Sequence, residues 1–137
     1  MIRAGPEHYE TVKRICNHPR IVAQFDVGTE IDPANWLADP RNIILVEGEN
    51  VALFLWRWIG IYEGHCLFTA RGRAALDLGA AMLGLMFSHG AAMVLAVAAK
   101  RHVHWFLRQL GFVPKGEIET IEGLSQMFQL ESSQWAS

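Results

Sequence analysis

Residues 69–87 read TARGRAALDLGAAMLGLMF, and this stretch decides the fold. Before it, His65, Cys66, Leu67 and Phe68 are strand-like. After Arg71-Gly72-Arg73 comes a long Ala/Leu/Met run with Ala74, Leu78, Ala81, Met82, Leu85 and Met86 at spacings of three and four, which predicts a helix with these residues inward. A strand, a tight turn and a helix N-terminus therefore meet at residues 69–73. Such a junction leaves the first N–H groups of the helix unpaired and aims the positive end of its dipole at the turn, a ready seat for phosphate or pyrophosphate. Arg71 and Arg73 add two positive charges. Basic turns of this kind also occur in α/β domains that bind nothing there, so the rest of the chain has to decide.

Downstream, Gly79, Ala80 and Gly84 keep another side of the helix small, for close approach to a sheet, and Gly90 ends it. Ala91 to Ala98 is a short apolar strand, so strand, helix and strand form a parallel crossover. Lys100 to Leu110 is a further helix with Val103, Phe106, Leu107 and Leu110 inward and Gly111 as its cap. Phe112 to Ile118 and Leu124 to Leu130 form a closing hairpin turned near Glu122-Gly123. Residues 132–137 are expected to fray unless Trp135 docks.

Upstream, Asn42 to Glu47 and Val51 to Trp58 are rich in β-branched and aromatic residues around a reversal at Gly48-Glu49-Asn50, an antiparallel hairpin. A turn at Gly60 leads to a third strand ending near Thr69. Alternation puts Phe54, Trp56 and Trp58 on one face of the second strand and Leu53, Leu55 and Ile59 on the other, so helices should cover both faces. The Trp56/Trp58 pair is read as sheet core, the alternative being an aromatic substrate pocket. At the N-terminus, Ile2-Arg3-Ala4 is a short edge strand. A helix carrying Tyr9, Val12, Ile15 and Cys16 follows, then a short one over His18 to Phe25 with Ile21, Val22 and Phe25 inward. A loop at Gly28, Asp32 and Pro33 precedes another short helix capped by Asp32.

With 137 residues the chain fits one domain, placed at 1–131, and 51% hydrophobic against 19% charged residues predicts an ordered core with apolar surface to spare for a homodimer or macromolecular partner. A net charge of −2 gives no field for nucleic acid. Cys16 and Cys66 lie far apart without zinc spacing, and His102 and His104 do not share a helical face, so no metal is expected. Both cysteines are read as small buried residues in a reducing compartment. The N-terminus lacks an apolar signal core, and the helix at 74–87 is too short for a bilayer and carries Asp77, so no membrane is involved. The expected location is the cytoplasm, and the origin bacterial or viral.

This order of elements resembles the GNAT acetyltransferase superfamily over nearly the whole chain. Arg71-Gly72-Arg73-Ala74-Ala75-Leu76 stands where that family has its acyl-CoA pyrophosphate loop, Q/R-x-x-G-x-G/A. Leu107-Arg108-Gln109-Leu110-Gly111-Phe112 resembles the family ending L-Y-E-K-L-G-F. The resemblance implies an α/β (α+β) fold with a mixed, mostly antiparallel central sheet flanked by helices around the β-α-β pyrophosphate-loop core. It also implies an N-acyltransferase that moves an acetyl or similar group from acetyl-CoA to an amine. Phe68, Thr69, Arg71, Gly72, Arg73, Ala74, Ala75 and Leu76 would line the cofactor. Lys100 would meet it where the family often has Asn.

Glu63 and His65 alternate onto one strand face where family members place a base, the alternative being a solvent-facing edge pair. Four positions depart from the pattern: Ala74 replaces the first motif glycine, Leu76 stands at the Gly/Ala position, Lys100 stands at the Asn position, and Leu107 stands where many members carry a proton-donating Tyr. These departures motivate a second reading, a catalytically degenerate GNAT-like module that binds a partner. Compact GNAT-like proteins of tailed bacteriophages suggest particle assembly or host takeover for it. Trp105 beside Phe106 would then mark a contact patch.

Overall fold

Two apolar periods in one strand set the architecture. In β3 (Asn50–Trp58) Val51, Leu53 and Leu55 point to one side of the sheet and Ala52 and Phe54 to the other, and all five are buried. Such a strand needs a layer on each face, and the computed structural model, which describes residues 1–24, 29–121 and 123–135, supplies both. On one face lie α1 (Tyr9–Cys16), α2 (Pro19–Val22) and α3 (Ala34–Ala38), packing Val12, Ile15, Cys16, Ile21 and Leu37 onto Ile44, Val46 and Leu67. On the other lie α4 (Gly72–Ser88) and α5 (Arg101–Gln109), packing Ala75, Met82, Leu83, Met86 and Leu107 onto Phe68, Val94, Ala96 and Phe128.

Among the described residues the sheet has seven strands. The remaining six are β1 (Ile2–Arg3), β2 (Ile43–Glu47), β4 (Ile61–Phe68), β5 (Met93–Ala98), β6 (Val113–Thr120) and β7 (Gly123–Glu131), in the order β1-β2-β3-β4-β5-β7-β6. Every pairing is antiparallel except β4 with β5, which the long helix α4 connects. The two hairpins and the parallel crossover stand where the residue patterns put them. The α/β fold, mixed and mostly antiparallel with flanking helices, is thereby realised.

Several expectations are corrected. The inward stripe of α4 is Ala75, Gly79, Met82, Leu83 and Met86, whereas Ala74, Ala81 and Leu85 are exposed. Met82 and Met86 face inward as expected and Leu78 packs half-buried on the core; an almost wholly apolar helix offers little polar face to fix its rotation, so spacing alone misplaced the other three. Gly79 opens the way for α5 rather than the sheet, because a Cβ there would meet Leu110 Cδ1 at 3.2 Å and Phe106 Cζ at 3.3 Å.

The far end of β3 is uncovered, with Trp58 66% and Ile59 80% exposed. Trp56 is half-buried, stacked on Trp58 at 6.4 Å between centroids and capped by the Arg41 guanidinium at 4.4 Å. Cys16 is buried as expected, but Cys66 is exposed. α2 is shorter than predicted, and Phe25 and Gly28 lie outside the described residues, as does Glu122 of the last turn. The cap position of α3 is Pro33 rather than Asp32, which stands one residue earlier with its Oδ1 accepting from Ala34 N–H at 3.0 Å.

Both long-helix ends close on glycine. Gly90 at φ +102 and Gly111 at φ +98 let the following residue return an N–H to the last turn, Ala91 to Met86 and Phe112 to Leu107, each at 3.0 Å. Of the two readings of the tail, docking is the one seen as far as Trp135. Ser132–Trp135 forms α6, and the Trp135 ring lies 5.8 Å from that of Phe87.

Candidate active site

β4 and β5 run side by side for three residues and then part. Ile61 pairs with Met93, Tyr62 with Val94 and Glu63 with Leu95, and there the ladder stops. Beyond it, residues 64–68 of β4 pair only with β3, and Ala96, Val97 and Ala98 of β5 only with β7. Gly64 sits at the fork, where a Cβ would press on Val94 Cγ1 at 3.1 Å. Two strands tied to different neighbours leave backbone groups facing an opening, which a ligand that hydrogen-bonds like a strand can fill. Beneath the fork lies a small apolar cavity of about 30 Å³, whose lining includes Gly64, Cys66, Gly79, Ala96 and Leu107. Neither Ala74 nor Leu76 lines it; Ala74 is exposed and Leu76 packs half-buried on the core.

The turn that follows β4 is shaped by a residue the motif reading passed over. Asn50 Oδ1 accepts from both Thr69 N–H and Ala70 N–H at 2.9 Å, and Thr69 Oγ1 donates to Glu49 C=O at 3.1 Å. Thr69 thus spends its amide on the protein. Its only signal in sequence was an Asn at the β2-β3 reversal, which reads as turn chemistry.

Past this anchor Arg71 is extended, and Gly72 takes φ +59 with nothing within 4 Å of where a Cβ would be. Among the described residues no side chain is seen to cap α4: Arg71, at the cap position, makes no such hydrogen bond, and no acidic residue sits in the first turn. The leading N–H groups of a 17-residue helix therefore face the open end of the fork. Arg71 and Arg73 are both exposed. Arg73 Nε donates to Asp77 Oδ1 at 3.0 Å, while Arg71 has no ion pair among the described residues. Phe68 is buried in the core at the mouth of the fork, its ring 6.5 Å from that of Phe106. Lys100 lies on the opposite rim, Nζ donating to Gln24 C=O at 2.9 Å. Gln24 Nε2 reaches Phe68 C=O at 3.4 Å, so this residue of the turn after α2 touches both rims.

Glu63 and His65 straddle the point where the strands separate, on the α1–α3 face of the sheet by alternation with Leu67. His65 Nε2 lies 2.7 Å from Glu63 Oε2, and Arg57 Nη2 donates to that same oxygen at 2.9 Å. The hydrogen bond from His65 holds the Glu63 carboxyl below the usual carboxylate range, with Arg57 acting in the same sense and partial burial opposing. His65 Nδ1 has no hydrogen-bond partner among the described residues. Next to this pair the sheet is open, with Leu95 half-buried and Val97 36% exposed.

Cys66, on the opposite face, is reached by solvent yet crowded by the cleft walls, and that desolvation pushes its thiol up to about 12. Leu107, which the resemblance sets at a Tyr position, is buried and has no ionisable proton to give. Among the described residues no group of His, Cys, Asp or Glu side chains is placed to hold a metal ion, and no helix is long and apolar enough to cross a membrane.

No family model and no curated protein matches the sequence. Solved structures do match. A spermidine N-acetyltransferase chimera from Vibrio cholerae and hSSAT superposes with a TM-score of 0.78 at 9% identity, covering 99% of this chain and 96% of that one. An aminoglycoside acetyltransferase in complex with coenzyme A and kanamycin gives 0.71 at 12% identity, covering 98% and 95%. A putative acetyltransferase from Salmonella typhimurium with acetyl-CoA gives 0.66 at 18% identity, covering 96% and 92%. A probable acetyltransferase of the GNAT family from Chromobacterium violaceum gives 0.71 at 13% identity, covering 96% and 86%. At such identities the likeness is one of fold, and it covers nearly all of this chain: the protein has the fold of the GNAT acetyltransferases.

Proposed function

We propose that the protein is an N-acyltransferase that takes an acyl group from a CoA thioester and passes it to an amine. One observation carries this reading: β4 and β5 part after Glu63 and Leu95, and the uncapped N-terminus of α4 stands at the open end. The leading amides of α4 and the Arg71 guanidinium would hold the pyrophosphate. Phe68, Thr69 and the turn to Leu76 line its approach, with Lys100 on the other rim. The open space around Gly72 leaves room for the backbone to meet phosphate oxygens. The thioester supplies an activated carbonyl.

The amine would approach from the α1–α3 face, across Leu95 and Val97, where His65 and Glu63 border the fork. As its nitrogen bonds to the acyl carbon and the carbon–sulfur bond breaks, the amine proton passes to His65 Nδ1. With Leu107 in place of Tyr, the departing thiolate takes its proton from water.

Isothermal titration with acetyl-CoA tests the reading. Saturable one-to-one binding is expected, with a dissociation constant within the roughly 1 μM to 1 mM range usual for enzyme substrates. Arg71→Ala should weaken it by about tenfold, and by more at low salt. No heat at millimolar ligand, with folded protein, refutes it.

A further inference from the structure

Arg57 occupies an unusual place. The β3–β4 ladder pairs Leu55 with Glu63 and Trp56 with Tyr62, then shifts so that Trp58 meets Ile61, leaving Arg57 as the extra residue of a β-bulge. A bulge turns the side chain it carries away from the regular alternation, and bulges cluster where a side chain has to be aimed. Here the guanidinium lands on Glu63 Oε2, the same oxygen that His65 Nε2 meets. Its second nitrogen, Nη1, donates to Trp56 C=O at 3.3 Å, tying the group to its own strand.

We infer that Arg57 is a positioning residue for the proton transfer: the bulge aims it at Glu63, Glu63 holds the His65 ring with its hydrogen on Nε2, and Nδ1 is left bare at the fork. The chemistry requires this order. A carboxylate oxygen that receives two donors is fixed in rotation, and an imidazole that gives Nε2–H to it must carry its lone pair on Nδ1. Glu63, already paired with two donors, is a poor acceptor for the substrate proton, so the base is His65 rather than the carboxylate. This assignment rests on the acyl-transfer reading for its purpose, but the ring state it specifies exists without any substrate.

Long-range nitrogen–proton spectra of His65, taken where the imidazole is neutral, together with acetyl-transfer kinetics for Arg57→Met and Arg57→Lys, test it. The native protein and Arg57→Lys should show the hydrogen on Nε2, and Arg57→Met a mixture of both tautomers. Turnover by Arg57→Met should fall about tenfold or more, with the KM for the thioester unchanged and activity largely restored in Arg57→Lys. An unchanged tautomer in Arg57→Met, or a loss of rate that comes with a raised thioester KM, overturns the assignment. If acetyl-CoA does not bind the native protein, the acyl-transfer reading falls while the spectra still decide whether Arg57 sets the ring.

Discussion

Gly72 takes φ +59 with open space where its Cβ would be, so the demand at this position is conformational and not steric. Gly72→Ala should cost roughly 1–2 kcal/mol, read from urea denaturation, because an L residue in the left-handed region crowds its own carbonyl. At Glu63 the lowered carboxyl pKa has a definite sign. The pair with His65 and Arg57 stabilises the fold above the ordinary carboxylate range, and that contribution is lost as pH falls through the lowered value. Glu63→Gln should therefore be less stable than the native chain near neutrality, and the two urea midpoints should converge in acid. Constant separation down to low pH contradicts the pairing.

Cys66 was read as a buried residue because cysteine usually is, yet whether a strand residue faces a packed helix or a gap between strands is a tertiary fact. Desolvation pushes this thiol up, so iodoacetamide at neutral pH should alkylate Cys66 more slowly than an unperturbed exposed thiol; an equal rate contradicts the crowding.

At the scale of elements, the hairpins, the crossover and both glycine caps were legible because period-two alternation, turn residues and helix-stopping glycines are local signals. The rotation of α4 was not. Ala74 and Ala75 carry the same information in sequence, and only the sheet and α5 decide which of them is buried. The bulge at Arg57 was equally invisible, since it arises from the register of two strands rather than from any residue type. The contact of α4 with α5 gives a prediction of its own. Gly79→Ala should be nearly neutral, a helix-propensity gain of about 1 kcal/mol offsetting mild crowding against the flexible ends of Leu110 and Phe106. Gly79→Leu should lose about 1–3 kcal/mol by overpacking, seen as a lower urea midpoint with an unchanged slope.

For the whole molecule, the strand order places β7 between β5 and β6, so the closing hairpin braces β5 exactly where β4 abandons it. β5 thus stays hydrogen-bonded to β7 through Ala98, beyond its last pairing with β4. The tail completes the α4 side of the structure. Trp135→Ala removes the Phe87 contact and should cost roughly 1–2 kcal/mol, less than for a fully buried tryptophan. The strand-turn-helix junction was readable from RGRAAL and the residues around it, but Asn50, which holds the turn, and Arg57, which meets Glu63, both come from the neighbouring strand β3. Amide spectra recorded as acetyl-CoA is added test the central claim most directly. Shifts should concentrate at residues 64–75 and 96–100, on the two sides of the fork, and saturate together. Silence at millimolar thioester, or shifts confined to another face of the sheet, would contradict it.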